Sequence, residues 1–305
     1  MFTEMRPPPG LLVLAAALLL PASPAGACSV CACGDPQGSS ADAIGLGELR
    51  TGVETEWLTQ RARSEGGGHE VLDQETVRIV GSTAPLDRLV LAVQVPLVRK
   101  HLTSEGGLDP APPSTVLALG DVELGGRYVV FRRADFSSQS LQTIAVAFGS
   151  SFPTGPTNVQ QGGQLLDPHG QPGTGGFGPY AGLQYRFRAD PWTLAASAAG
   201  RYRTEGAQAY RFGSAFVFGT EAVYAWSRLA LGLGLDGRVA TQDRQAGVPV
   251  DSTGGVVLAA APAVYAELGA GLWLRLRAQV PVATVFVGDQ RLGPTIAAGL
   301  QYQVL

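Results

Sequence analysis

Residues Leu229 to Ala240, LALGLGLDGRVA, decide the fold. Successive side chains of an extended strand point in opposite directions. Leu229, Leu231, Leu233, Leu235 and Val239 therefore share one face, and Ala230, Gly232, Gly234, Asp236 and Arg238 the other. Leu272 to Val282, LWLRLRAQVPV, repeats the pattern: Leu272, Leu274, Leu276, Val280 and Val282 stand opposite Trp273, Arg275, Arg277 and Gln279. The strands of a soluble sandwich also show one apolar face, but they usually run about 5 or 6 residues. Alternation sustained over about ten residues or more matches strands that cross a bilayer.

About twelve such segments follow one another, an even number as expected of a bacterial single-chain barrel. They run from Leu46 to Arg61, Asp73 to Ala84, Arg88 to Lys100, Gly120 to Arg132, Leu141 to Phe152 and Phe177 to Arg188. The second half comprises Trp192 to Tyr202, Gly213 to Trp226, Leu229 to Ala240, Gly254 to Leu268, Leu272 to Val285 and Arg291 to Leu305. Short turns at Pro85 to Asp87, Ala189 to Pro191, Ser227 to Arg228 and Gly269 to Gly271 alternate with longer loops. Those loops are Ala62 to Leu72, His101 to Leu119, Pro153 to Gly176, Arg203 to Phe212 and Thr241 to Thr253. Outer-membrane barrels pair short periplasmic turns with long extracellular loops, so both chain ends fall on the periplasmic side.

The N-terminus agrees with export. LLVLAAALLL (Leu11 to Leu20) is an apolar run preceded by Arg6 and followed by Pro21, Pro24 and a small-residue stretch in which Ala25 and Ala27 give an A-x-A cleavage pattern. It is too short and proline-broken to span a membrane as a helix, which takes about 20 apolar residues. Residues 1–27 thus read as a signal peptide and 28–44 as a periplasmic Cys-rich segment, with the barrel occupying 45–305. The chain is 45% hydrophobic but only 15% charged, with a formal net charge of -3. Removing residues 1–27 takes away Glu4 and Arg6 together and leaves that charge unchanged. No basic run suggests a nucleic-acid partner.

Three stretches resemble a known family: GDVELGGRYVVF (Gly120 to Phe131), FGSSFPTGP (Phe148 to Pro156) and GTGGFGPYAGLQYRF (Gly173 to Phe187). They are similar to the outer-membrane family described as transporters of the MetA pathway of phenol degradation. The resemblance covers roughly the middle third of the chain and the closing strand. It implies a channel-like barrel in the outer membrane of a Gram-negative bacterium and transfers no substrate, because a shared fold does not establish function. The C-terminus departs from the usual pattern by ending in Leu305 where such barrels end in an aromatic residue, although Leu300, Tyr302 and Val304 keep the alternation.

If the apolar faces meet lipid, the opposite faces line the lumen. This expectation places Arg50, Glu54, Glu56, Asp121, Glu123 and Arg127 inside from the first four strands. Later strands add Arg186, Arg201, Glu221, Asp236, Arg238, Arg275 and Arg277. Acids lean to the early strands and arginines to the later ones, a split that would set a transverse field across a narrow passage. Alternatively these charges pair and fill the barrel. Barrels of about 8 strands are packed solid and those of 16–18 hold open channels, so twelve lies between. The small residues Ala145, Ala147, Ala195, Ala199, Gly232 and Gly234 favour open space and passage of a small solute.

The enzymatic alternative is a hydrolase with a Ser/His site at the barrel rim, whose nucleophile needs a base within hydrogen-bond reach. The three histidines, His69, His101 and His169, fall in loops or at strand ends, and no motif surrounds His101 and Ser104, so the reading is non-enzymatic, with solvated loop histidines. The glycine-rich loop Gln160 to Gly178, which contains Asp167 and His169, reads as flexible, free to touch a ligand or fold inward.

All cysteines lie in ACSVCACGDP, residues Ala27 to Pro36. Cys28, Cys31 and Cys33 admit three fates. Lipidation of Cys28 has acceptable small residues before it but lacks the usual leucine three positions ahead. A disulfide suits the oxidising periplasm, but three cysteines leave one over and Cys31 to Cys33 would close a tight ring. Binding of a soft metal ion, Cu or Zn, would use all three thiolates, with Gly34 permitting a turn, and the favoured reading is a soft-metal or redox-active periplasmic head. The expected partners are outer-membrane lipid, a small solute and a periplasmic partner.

Overall fold

The computed structural model describes residues 48–63, 68–105 and 113–304. Twelve antiparallel staves close into a barrel. β1 (Leu49–Arg63) is followed by β2 (His69–Leu86), β3 (Leu89–Glu105), a broken fourth stave made of β4a (Ser114–Leu119) and β4b (Glu123–Asp135), β5 (Ser140–Ser151), β6 (Gly178–Ala189) and β7 (Trp192–Arg201). The remainder are β8 (Ala215–Trp226), β9 (Leu229–Ala240), β10 (Gly255–Gly269), β11 (Leu272–Phe286) and a broken twelfth stave, β12a (Gln290–Leu292) and β12b (Thr295–Val304). Each stave pairs with the next in sequence, and β1 pairs with both β2 and the twelfth stave, so no edge is left open. Closure is the only way a sheet can cross hydrocarbon, since unpaired N–H and C=O groups there have no water to satisfy them.

The register has the expected hand. Leu231 and Leu233 of β9 are exposed, as are Leu276, Val280 and Val282 of β11, whereas Arg238 and Arg277 of the same strands turn inward and are nearly covered. Apolar side chains cover the outside all round, with Ile79, Leu117, Leu183 and Val285 each more than half exposed. Near the short-turn end, Trp192 and Tyr224 meet edge-on with ring centroids 5.0 Å apart, and Trp226 and Tyr302 are exposed at the same end of their own staves. Such an apolar band with an aromatic girdle is the outer surface of a protein of the Gram-negative outer membrane.

Several boundaries differ from the sequence expectation; within Ala62 to Leu72, expected as loop, Ala62, Arg63 and His69 to Leu72 are strand. Most of His101 to Leu119, expected as loop, is strand: β3 continues to Glu105, and β4a pairs with Leu97 to Leu102. The fourth stave begins well before Gly120 and is interrupted at Gly120–Val122, and the closing stave is likewise split. Polar stretches such as RKHLTSE carry too weak an alternation to announce a strand. They are held by backbone pairing above the lipid band.

Candidate functional site

A cavity of about 240 Å³ lies in the lumen, walled by every stave except β5 and β6. Arg50, Glu54, Glu56, Arg127, Asp236, Arg238, Arg275 and Arg277 line it, together with Val80, Val90, Val217, Val257 and Pro281. Small residues make the room: Gly219, Ala259, Ala297 and Gly299 are on its wall. The small residues singled out from sequence do not line it. Ala145 and Ala147 are buried instead, and Gly232 makes room for Glu221 and Tyr265, which a Cβ there would approach to 3.0 and 3.3 Å. The lumen is thus filled beside β5 and at the level of Gly232, and the open space lies at other levels of the same staves.

The remaining sequence-predicted lumen residues are engaged outside the cavity, and Asp236 on its wall is engaged as well. Glu123 of β4b takes Arg201 of β7 at 2.7 Å, three staves away round the wall. Glu221 accepts the Tyr265 hydroxyl at 2.7 Å and lies 3.8 Å from Arg277. Asp236 takes Arg277 at 2.6 and 2.8 Å and Gln279 at 2.6 Å. Arg186 shares the inner face of β6 with Tyr180 and is half-buried. Sequence reading missed Arg78, whose guanidinium grips Glu56 at 3.0 and 3.1 Å. The alternation Val77, Arg78, Ile79, Val80 was enough to place it inside.

The three stretches that carry the family resemblance meet in space. Tyr180 lies over Gly125 and Gly149: a Cβ on Gly149 would stand 2.5 Å from its hydroxyl, and one on Gly125 closer still. The Arg201 guanidinium stacks 5.0 Å above the Tyr180 ring while reaching Glu123. Above this, Asp121 occupies the break in the fourth stave. It accepts the N–H of Gly155 at 3.1 Å and of Thr174 at 2.9 Å, and Thr154 caps the same break through Val122 N–H at 2.8 Å. The motif glycines are there because a flat ring and a tightly folded loop need bare backbone.

The loop at residues 152–177 folds inward rather than remaining free. Lys100, on the inner face of β3, donates to the carbonyls of His169 and Gln171 at 2.7 Å each. Gln171 is almost fully buried. His169 is not a solvated loop histidine, which corrects the sequence reading. Its Nε2 lies 2.7 Å from the Tyr210 hydroxyl and 3.1 Å from Asp243 Oδ2, and Tyr210 donates to the same carboxylate at 2.6 Å. Asp243 is fully buried and also accepts Gly213 N–H at 2.7 Å. Three loops, at 152–177, 202–214 and 241–254, are thereby tied together at the extracellular mouth. Burial pulls the His169 pKa down, but the hydrogen bond and charge of Asp243 outweigh it and hold it above the ordinary value. Burial likewise pushes Asp243 up, and its bonds from His169, Tyr210 and Gly213 prevail and lower it. Burial and Asp243 raise the Tyr210 phenol, which stays a donor.

In this network the Tyr210 hydroxyl donates its proton to Asp243 rather than to His169. His101 and Ser104 stand three residues apart on β3 and so face opposite sides, with His101 Nδ1 bound to Thr115 at 2.8 Å. His69 meets Asp289 at 3.3 Å. Among the described residues no cluster of His, Cys, Asp and Glu is arranged to hold a metal ion. Cys28, Cys31 and Cys33, with the signal-peptide and Cys-rich segments, lie outside the described residues.

No family model matches the sequence, and no curated protein does. Among solved structures the chain is similar to the COG4313 outer membrane channel from Pseudomonas putida F1. The TM-score is 0.64 at 14% identity, covering 88% of this chain and 99% of that one. Two further likenesses are much weaker: the translocator domain of the autotransporter NalP from Neisseria meningitidis, at TM-score 0.45 with 12% identity over 86% and 90% of the two chains, and the CymD monoaromatic hydrocarbon channel, at 0.39 with 8% over 85% and 88%. The first shows a shared outer-membrane barrel fold.

Proposed function

We propose that this protein is an outer-membrane channel that passes a small solute through the charged cavity of its lumen, of the type of the MetA-pathway transporters that its sequence resembles. The observation that carries the reading is the cavity in the lumen, walled by small residues and charged side chains rather than packed shut. A core meant only to be filled would close that space, because interiors pack to crystal-like density. Conductance of the purified protein in a planar bilayer tests it. Discrete channel events are expected, and a silent bilayer from correctly folded protein would refute it. A second reading, a plugged structural barrel, draws support from the three tied loops at the mouth. It predicts silence that persists after His169 and Asp121 are both replaced.

The N-terminal cysteines fit a periplasmic accessory to such a channel. In this proposal Cys28, Cys31 and Cys33 hold a soft ion, Cu or Zn, near a periplasmic partner that delivers or receives the solute. Mass spectrometry of the mature N-terminus with metal analysis of reduced protein tests it. A diacylglyceryl mass on Cys28, or equal metal in a triple Cys→Ser variant, would remove it.

A further inference from the structure

Above β7 to β9 the loops at 202–214 and 241–254 carry a small sheet of their own, in which Tyr210–Arg211 pairs with Arg244–Gln245 and that strand with Val248–Pro249. Tyr210 turns toward His169 and the loops over the mouth. Side chains alternate along a strand, so Arg211 points away from the lumen, and Arg244 stands directly opposite it on the same face. Arg244 is exposed and Arg211 half-buried. Among the described residues neither guanidinium has a hydrogen bond or an ion pair, and Glu205 and Asp251, exposed carboxylates of the same loops, engage neither. Like charges facing each other across two strands destabilise the pair, and an anion seated between them reverses that effect.

The staves below set the height of this pair. Trp192 and Tyr224 belong to the periplasmic girdle, and Tyr202, 54% exposed, stands about ten residues farther along the outward face of β7. At about 3.3 Å per residue and a tilt near 40° that distance is about 25 Å, the height of the apolar band of such barrels. Tyr202 thus marks the outer boundary of the hydrocarbon, where tyrosine is favoured. Arg203 N–H reaches the Ser214 hydroxyl at 3.2 Å, and Thr241 N–H the Ser214 carbonyl at 2.9 Å, so all three strands are level there. Arg211 and Arg244 lie about three residues beyond Ser214 and Thr241, within about 10 Å, in the headgroup layer. Immediately beneath, a groove runs over the outward face of β6 to β9 along Pro179, Ala181, Gly200, Tyr202, Phe216 and Val239. Its floor is bare at Gly200, where a Cβ would meet nothing within 4 Å. It crosses three inter-strand spacings, about 14 Å.

We propose that Arg211, Arg244 and the groove beneath them form a seat for one lipopolysaccharide molecule of the outer leaflet, the guanidiniums holding a phosphate of its lipid A and the groove one of its acyl chains. Guanidinium matches phosphate with paired N–H donors, and the apolar groove lies where a chain hangs from the same headgroup. Free phosphate would use the arginines and leave the groove to other lipid. A zwitterionic phospholipid would bring an ammonium group that two arginines repel. The seat is on the outside of the barrel and does not depend on what passes through the lumen.

Native mass spectrometry of the purified protein in detergent, with hexa-acylated bisphosphorylated lipid A as probe, tests this. A single lipid A should stay bound to the wild type, and its dephosphorylated form should bind about tenfold more weakly, the loss expected when charge-assisted hydrogen bonds go. Arg211→Gln with Arg244→Gln should lose a similar factor, whereas the Arg→Lys pair should keep most of the binding. Gly200→Phe places a ring in the open groove and should also weaken lipid A. Heat-shifted mobility on gels verifies that each variant is folded. Undiminished lipid A binding by the Gln pair or by Gly200→Phe would overturn the seat. Inorganic phosphate displacing lipid A at comparable concentration would overturn it in favour of a free-anion site. Phosphatidylethanolamine retained as firmly as lipid A would overturn it in favour of unselective lipid contact.

Discussion

The carboxylate of Asp121 accepts the backbone N–H of Thr174 at 2.9 Å across 53 residues of sequence. Its other oxygen takes Gly155, so a single side chain in the gap of the fourth stave fixes both ends of the loop that caps the lumen. Hydrogen bonds to a charged group contribute about 1.5–3 kcal/mol, and Asp121→Ala removes both acceptors. The variant should keep its barrel and open the loop. Faster amide exchange and proteolysis within 153–176, together with larger conductance, are expected. Unchanged exchange there would show that the loop is held by something else.

The contact between His169 and Asp243 gives the cap a pH dependence. His169 is raised in the folded protein, so its contribution is full below the unfolded value of about 6.5 and fades as pH rises through the raised folded one. Asp243 is lowered, so its share is full above about 3.9 and fades in stronger acid. Lys100 and Asp167 stand on either side of His169, at its carbonyl and its N–H, and Tyr210 shares its Nε2. Loop protection, read by proteolysis, should therefore peak in mildly acidic solution and decline on the alkaline side. His169→Gln should flatten the alkaline decline. A profile identical to wild type would sink the assignment.

Arg78 and Glu56 form a nearly buried pair on β2 and β1, with 15% and 8% of their side chains exposed. Removing one partner of such a pair costs about 3–5 kcal/mol because the other charge stays behind, whereas replacing both by apolar groups is close to neutral. Arg78→Ala should thus lower the urea midpoint of the folded barrel strongly, and Arg78→Met with Glu56→Leu should recover most of it. Equal loss in both would mean that the lumen is wetter there than the geometry implies.

Gly149→Ala puts a methyl group 2.5 Å from both the Tyr180 hydroxyl and the Leu124 carbonyl. The ring must leave the wall, and with it the Arg201 stack. We expect a loss of about 1–3 kcal/mol, typical of overpacking, relieved by Tyr180→Ala in the same chain. Lack of relief would show that the backbone contact alone is responsible.

Cysteines replacing Arg275 and Leu276, in a chain without its native cysteines, should differ: the first reacts with a hydrophilic thiol reagent and the second does not. Arginine turned to lipid would cost about 2–4 kcal/mol at mid-membrane, which sets the register.

The sequence by itself determined the staves and their faces. LALGLGLDGRVA and LWLRLRAQVPV can satisfy a bilayer on one side only, and a period of two leaves no third choice for Arg238 or Arg277. Twelve staves, the short turns and the inward set follow from the same rule. Tertiary structure alone decided how the inward residues meet. Glu123 and Arg201 are 78 residues apart, and His169 reaches Asp243 from another loop, because closure brings distant staves to one axis and no local pattern records that distance. It also decided where the space is: Ala145 and Ala147 are as small as Ala259 and Ala297, yet the first pair is covered while the second borders the cavity. Side-chain size along a strand limits what can fit, and what fills the space comes from across the barrel.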